Sequence, residues 1–254
     1  METFKLTRKE MANLLLALRD EENPVQILKE AWNKRHPNLT EQEAVNAFLS
    51  TQLSPIFEKI IKSGKVQGTF SINEIVALGS QIEHSEFKLT AVQNWAKRDA
   101  KEIIGAPDGG KKYSVYQAAM LFIIDDLKTV LDFTAIKNLL LKLFKQNGDY
   151  SDDVINPLDL YFAYSSIFED LDPDGDQLME AEDVDPSLAK IQKERTLEAL
   201  IEKRAREYVD THIEGLNEAQ KKLVQNTIAV TVLTIQISFL QSVAKRYTNL
   251  ALFF

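Results

Sequence analysis

Residues 71–98 have the sequence SINEIVALGSQIEHSEFKLTAVQNWAKR, and this stretch decides the fold of the middle of the chain. Ser71 with Glu74 three residues later is the capping-box pattern that begins a helix, and apolar residues follow at helical spacing. After a polar break, a second short helix begins at Leu89 and carries Trp95. Two short helices joined by a short break predict a helix-turn-helix.

A turn-rich segment follows this helix pair. Residues 105–113 contain three of the nine glycines and one of the seven prolines of the chain, which predicts a tight hairpin or wing. Ser114 then begins a strongly apolar helix, and a further helix carries Phe133 and Ile136. The helix-turn-helix is therefore predicted to continue into a small wing and a second pair of helices.

The flanking regions have the same helical character. At the N-terminus, Thr7 with Glu10 forms another capping-box pattern, and Pro24 suits the first turn of a further helix. Glycine and proline are sparse and fall between the periodic segments, so the sequence predicts a multi-helical, all-α fold. It divides into an N-terminal helical unit (1–67), a winged helix-turn-helix (68–147) and a C-terminal helical unit (148–254).

Three groups of residues in the middle part fit a known pattern: the run 90–98, the wing residues Gly109, Lys111, Tyr113 and Ser114, and the pair Phe133 and Ile136. With them, the segment 68–147 resembles the winged-helix DNA-binding domain of the MerR type. The run 93–95, Gln-Asn-Trp, is similar to a family of uncharacterised bacterial proteins that is known only as a domain of unknown function and is placed near MerR. The resemblance implies a middle domain that binds double-stranded DNA, and terminal helices that form a homodimer.

The sequence also departs from the MerR-type pattern. Gln93 and Asn94 stand where those proteins usually carry Arg and Tyr, and Lys111 replaces the arginine of the wing. A lysine is a point charge and does not make the bidentate phosphate contact of an arginine. The chain has no cysteine, which excludes the thiol-based sensing found in some MerR regulators.

The candidate DNA contacts lie between residues 88 and 113. Gln93 and Asn94 can pair with the edge of adenine in the major groove, so they are candidate base readers. Nearby carboxylates reduce the net charge of the stretch to +3. The alternative is that Trp95 belongs to the core and that the lysines only solvate a small helical domain. The other side chains of the candidate interface are Lys88, Thr90, Lys97, Arg98, Lys101, Lys111, Lys112 and Tyr113.

The net charge of −8 comes from one acidic segment. Residues 146–189 contain 13 acidic side chains and neither lysine nor arginine, whereas the rest of the chain has a net charge of +5. Because binding to DNA depends on local basic side chains, the acidic composition of the whole protein does not exclude a DNA-binding surface.

Part of this acidic segment, residues 172–183, resembles an EF-hand calcium loop. Gln177 replaces the glycine of the sixth position, and no second loop is visible, so a plain acidic turn is the alternative. Apart from Ca²⁺ at this loop, the sequence indicates no cofactor. The candidate ligands are Asp172, Asp174, Asp176, Leu178 through its carbonyl, and Asp183.

Residues 223–244 are uncharged over a length that could cross a bilayer, but nine of the 22 are polar. We predict a buried helix there and, from the resemblance, the dimer seam rather than a membrane span.

No export signal and no nucleotide-binding or catalytic motif is visible, so the sequence predicts a cytoplasmic protein that is not an enzyme. The expected function is sequence-specific transcriptional regulation by DNA binding, with an effector that the sequence does not identify. The alternative is a protein-interaction or adaptor protein, with Ca²⁺ at the acidic loop.

Overall fold

The computed structural model describes residues 4–20, 22–40, 43, 46–48, 51, 53–63, 68–107, 110–145, 150–171 and 186–252. The chain divides into two compact units, residues 1–122 (unit 1) and 123–254 (unit 2). Both are mostly helical, which confirms the predicted all-α class, and the described residues contain one short two-stranded sheet. The domain boundaries at residues 67 and 147 stay predictions.

Unit 1 begins with two helices, α1 (Arg8–Arg19) and α2 (Pro24–Lys34), which pack against each other. Glu10 N donates a hydrogen bond to Thr7 Oγ1 (3.1 Å), and Thr7 N donates one to Glu10 Oε2 (2.8 Å). Asn23 caps α2, and Pro24 occupies its first turn, where the missing N–H costs no hydrogen bond. The capping box and the helix start predicted here are confirmed.

The rest of unit 1 is built from short elements. Strands β1 (Thr69–Phe70) and β2 (Tyr113–Ser114) pair antiparallel, with Thr69 opposite Ser114 and Phe70 opposite Tyr113. Helix α7 (Val115–Leu127) follows β2 directly, and its residues 123–127 belong to unit 2. The short elements are α3 (Pro55–Ser63), β1 (Thr69–Phe70), α4 (Ile72–Gly79), α5 (Leu89–Asn94), a π turn (Trp95–Asp99), α6 (Lys101–Ile104) and β2 (Tyr113–Ser114).

Unit 2 contains α8 (Phe133–Leu143), a 3₁₀ turn (Tyr150–Asp152), α9 (Pro157–Leu171), α10 (Pro186–His212) and α11 (Glu218–Leu252). Helix α9 packs against α10 and α11, and these two long helices pack against each other. A short connection containing Gly215, with a φ of 78°, separates them. Gln220 N donates to Asn217 Oδ1 (2.9 Å), so Asn217 caps α11.

One face of α11 is buried within unit 2. Val224, Ile228, Val232 and Ile235 lie on this face, with three threonines whose hydroxyls donate to carbonyls of the same helix. The part of the predicted dimer seam (223–244) that lies on this face is thus occupied inside the unit. By length and composition, α11 is also apolar enough to cross a membrane, and it is the one such helix in the described parts of the chain.

Candidate nucleic-acid interface

The predicted helix-turn-helix corresponds to α4, the connection 80–88 and α5. Ser71 N donates to Glu74 Oε2 (2.7 Å), and Glu74 N donates to Ser71 Oγ (3.3 Å), so the capping box that begins α4 is confirmed. Helices α4 and α5 pack against each other. At the end of α4, a Cβ at Gly79 would lie 2.5 Å from the ring of Phe87. Only glycine therefore fits at this contact.

The connection 80–88 is held by residues from the beginning of the chain. Leu6 N donates to Gln81 O (2.8 Å), and Glu83 N donates to Leu6 O (2.9 Å), which forms a short parallel bridge. The next residue, His84, has a φ of 58°, in the left-handed region that residues other than glycine rarely adopt. Such a conformation persists where surrounding contacts fix it, so the N-terminal segment helps to shape the connection.

Arg35, Glu10 and Glu83 reinforce this contact, and we call them the Arg35 network. The guanidinium of Arg35 donates to both carboxylate oxygens of Glu10 (3.0 and 2.8 Å) and to Glu83 Oε1 (2.8 Å). Burial disfavours the charged guanidinium, but its hydrogen bonds to the two carboxylates, together with their charges, raise the pKa of Arg35 above its ordinary value. The network joins α1, α2 and the connection between α4 and α5.

The predicted recognition segment, from Lys88 to the end of α6, separates apolar from polar side chains. Trp95 is only 4% exposed, and its ring packs edge-on against that of Phe87, with the centroids 6.0 Å apart. Trp95 is therefore a core residue, as the alternative interpretation states. Gln93 is half-buried. The exposed side chains include the other candidate DNA contacts of this segment: Lys88, Thr90, Asn94, Lys97, Arg98 and Lys101.

The recognition segment is not one continuous α-helix. Ala100 N donates to Trp95 O (3.0 Å), so residues 95–99 form a π turn, which is one residue wider than an α turn. Within this turn, Trp95 and Ala96 are buried while Lys97 and Arg98 stay in solvent. Hydrophobic periodicity did not predict the turn, because a single additional residue changes the pattern too little to be noticed.

A buried glutamine, Gln117, fixes the base of the predicted wing. Its Nε2 donates to Ile104 O (2.8 Å) and Ala106 O (2.7 Å), and its Oε1 accepts from Ser114 N (3.0 Å). The start of α7 is thereby tied to the chain where it enters and leaves the segment 105–113. Gln117 was not among the predicted site residues, although its position three residues after Ser114 is the capping-box spacing that could have indicated it.

The wing itself carries two exposed lysines, Lys111 and Lys112. Tyr113 is half-buried at its end, and burial raises the pKa of its phenol. Two residues of the predicted wing, Asp108 and Gly109, lie outside the described residues. The hairpin predicted for this segment therefore stays a prediction.

The cations of the candidate interface have few internal partners. Lys88 approaches Glu86, and Arg98 approaches Asp99, only to 3.9 Å. Within the part of the chain that the structure describes, no ion pair involves Lys97, Lys101, Lys111 or Lys112. These charges are therefore open to an anion from outside the protein.

A protein family and a known bacterial protein match the chain. The family described as a domain of unknown function (DUF1836) matches residues 67–164. The uncharacterized protein YkrK of Bacillus subtilis (strain 168) is 34% identical over 250 residues, which is 98% of this chain and 98% of that protein. The chain belongs to the DUF1836 family. The predicted likeness to an uncharacterised family is thus confirmed, whereas neither match names a MerR-type protein. No solved structure matches the chain.

The DUF1836 segment contains every candidate DNA contact but not the N-terminal residues that hold the connection 80–88. Leu6, Glu10 and Arg35 lie before residue 67, where the family match begins. The similarity to YkrK, by contrast, extends over nearly the whole chain and so includes α1 and α2. The N-terminal helices therefore belong to what this DUF1836 protein shares with its relative.

The predicted calcium ligands of this DUF1836 protein, Asp172, Asp174, Asp176, Leu178 and Asp183, lie outside the described residues. Among the residues that the structure does describe, no group of three or more His, Asp or Glu side chains could hold a metal ion. The calcium loop therefore stays a prediction.

Proposed function

We propose that this DUF1836 protein is a sequence-specific, DNA-binding transcriptional regulator of the bacterial cytoplasm. In this proposal, residues 68–147 act as a MerR-like winged helix-turn-helix on double-stranded DNA. The observation that carries the proposal is the two-sided segment 88–104. One side is buried with Trp95, while a base-reading amide and four basic side chains are exposed to solvent.

Within this segment, the exposed residues have distinct roles in the proposed complex. Asn94 ends α5, where its amide can pair with the N6 and N7 edge of adenine. Lys97, Arg98 and Lys101 follow within two turns and contact phosphates, which fixes the register of the segment on the duplex. Half-buried Gln93 lies beside Asn94 and reads the adjacent base.

The wing supplies the remaining contacts. Lys111 and Lys112 are exposed on a segment whose base is fixed by Gln117 and by the pairing of β2 with β1. A fixed base keeps these two cations in one place, so binding DNA costs less ordering of the loop. We assign both lysines to phosphate contacts.

The proposal is tested by fluorescence anisotropy of labelled duplexes, from the upstream region of the gene for this protein and from a random pool. The full chain should bind the upstream duplex more tightly than the pool, and the affinity should fall steeply as salt is raised. Asn94→Ala should reduce the ratio of the affinity for the upstream duplex to the affinity for the pool by about fivefold or more. Lys97→Ala should weaken binding to both and lower the salt slope by about one.

Lys62→Ala is the matched control, because it removes the same charge from an exposed position of α3 outside the interface. It should leave both affinities within about twofold of the original. If the full chain binds neither duplex at low salt, or if Lys62→Ala acts like Lys97→Ala, the DNA-binding function is wrong, and the adaptor function predicted as its alternative takes its place.

A further inference from the structure

Helix α11 has a second apolar face that its own unit does not cover. Leu233, Ile237 and Leu240 are exposed large apolar side chains, and Leu240 is 51% exposed. Tyr247, at 59% exposed, continues this face, and Ala244 and Ala251 are exposed as well. We call the six residues 233, 237, 240, 244, 247 and 251 the outer stripe.

The outer stripe lies opposite the face that is buried in unit 2. Successive residues of an α-helix are about 100° apart, which places the centre of the outer stripe roughly 145° around the helix from the centre of the face formed by Val224, Ile228, Val232 and Ile235. A helix that is apolar on two opposite sides is normally covered on both of them. In α11, contacts with the part of unit 2 that the structure describes cover only one.

The spacing of the outer stripe identifies the kind of partner. Its residues are separated alternately by four and three positions from Leu233 to Ala251, which is the a and d pattern of a coiled coil. We propose that the outer stripe is the seam of a homodimer, in which α11 forms a short coiled coil with α11 of a second copy of this chain. The proposed seam thus overlaps the second half of the predicted stretch 223–244 and extends beyond it to Ala251.

Charge favours a second copy as the occupant. The positions that border the outer stripe are uncharged, among them Gln236, Gln241 and Thr248, so two identical stripes meet without like-charge repulsion. Of the nearest cations, Lys245 lies on the far side of the helix, and the guanidinium of Arg246 lies over the ring of Tyr247, 5.8 Å from its centroid. Bordering glutamines are unsuited to hydrocarbon, where their amides find no hydrogen-bond partners, which disfavours a membrane as the occupant.

The length of the stripe sets the strength of the dimer. Nineteen residues of helix span about 28 Å, and a helix face of this length on each copy buries on the order of 1,000 Å² in total. This area lies at the small end for specific protein complexes. The dimer is therefore reversible, with a dissociation constant of roughly micromolar size.

The test is sedimentation velocity of the full chain from about 1 to 100 µM, a range chosen for an interface of this size. The original protein should change from monomer to dimer across the range. Leu240→Glu should weaken the dimer at least about tenfold, because each copy then places a charge in the seam. Asn249→Glu, an equal change on an exposed position away from the stripe, should leave the dimer unchanged.

A second measurement uses the absence of cysteine in the chain. Leu240→Cys, near the middle of the stripe, should form an intermolecular disulfide on mild oxidation, whereas Asn249→Cys should not. The proposal is overturned if the original protein stays monomeric up to 100 µM, or if Leu240→Glu dimerises as well as the original. It is also overturned if the original protein is monomeric and co-sediments with phosphatidylglycerol vesicles, and Leu240→Glu abolishes this co-sedimentation. None of these readouts involves DNA, so they are independent of the proposed function.

Discussion

The two units of this protein satisfy some of their buried polar groups in different ways. In unit 1, the Arg35 network joins a guanidinium to two carboxylates. In unit 2, the buried polar side chains of α9 and α11 are mainly hydroxyls, such as Thr227 and Thr231, and each of these two bonds a carbonyl four residues earlier on its own helix. Unit 1 is therefore held in part by ionic contacts between distant parts of the sequence. In unit 2, the buried threonines of α11 are satisfied within their own helix, and the buried Asp126 accepts a hydrogen bond from Tyr164.

Because of this difference, we expect the stability of unit 1 to depend more on salt and pH than the stability of unit 2. Ion pairs depend on salt and pH, whereas hydroxyl-to-carbonyl bonds within a helix depend on neither. The two units can also be observed separately, because both tryptophans, Trp32 and Trp95, lie in unit 1. Tryptophan fluorescence thus reports the unfolding of unit 1, while far-ultraviolet circular dichroism reports the helices of both units.

The largest effect is expected from Arg35→Met, which removes the cation of the Arg35 network. Glu10 is then left buried without its partner, so unit 1 should lose about 2 to 3 kcal/mol of unfolding free energy. Urea unfolding followed by tryptophan fluorescence measures this loss. The matched control is Arg19→Met, whose partner Asp20 is exposed, and its cost should be below about 0.5 kcal/mol. Equal costs for the two variants would contradict the stabilising role assigned to the Arg35 network.

A smaller effect, confined to unit 2, is expected from Tyr164→Phe. The phenol of Tyr164 donates to Asp126 Oδ2 (2.9 Å), and both side chains are buried. Removing this donor should cost about 1.5 kcal/mol, observed in the helical signal but not in tryptophan fluorescence. Tyr247→Phe removes an exposed phenol and should cost almost nothing. A shift of the fluorescence transition by Tyr164→Phe would show that the units do not unfold separately.

The smallest effect concerns pH and Glu74, the capping residue of α4. Burial raises the pKa of this carboxyl, but hydrogen bonds from Lys59 and Ser71 outweigh burial and hold the pKa below its ordinary value of 4.5. A folded-state pKa below the unfolded value stabilises unit 1 above pH 4.5, and the contribution is lost as the pH falls through the folded-state pKa.

Glu74→Gln should therefore cost less than about 1 kcal/mol at pH 7 and make the fluorescence-detected stability of unit 1 less dependent on pH between 5 and 3. Glu58→Gln is the control, since Glu58 is exposed and pairs with Lys62 on the same helix. The interpretation fails if both variants flatten the pH dependence equally.

Local features of the fold could be predicted from the sequence, and long-range ones could not. The capping boxes at Thr7 and Ser71 were predicted correctly because each needs only a pair of residues three positions apart. The Arg35 network was not predicted, because its members are far apart in the sequence and no periodicity relates them. The same reason applies to the pairing of β1 with β2, which joins residues 69–70 to residues 113–114.

The candidate site shows the same division. Composition and spacing correctly predicted the short helix that begins at Leu89, and most of the candidate contacts on it are exposed. The roles of Gln117 and of the N-terminal segment were missed, because both depend on contacts with backbone groups that are distant in the sequence. The amino-acid sequence does not show which backbone groups a side chain or segment will meet in the folded protein. Whether the exposed face binds DNA stays a prediction.

The π turn at residues 95–99 has a consequence for how relatives of this protein are compared. A π turn holds one residue more than an α turn, so a relative that lacks one residue between Trp95 and Asp99 can still complete the helix as a regular α-helix. The wide turn takes up the additional residue locally, so the side chains that follow it lie on the same side as those of the shorter relative. A relative can therefore be one residue shorter in this turn and still present the same surface, provided that the basic side chains after the turn are kept.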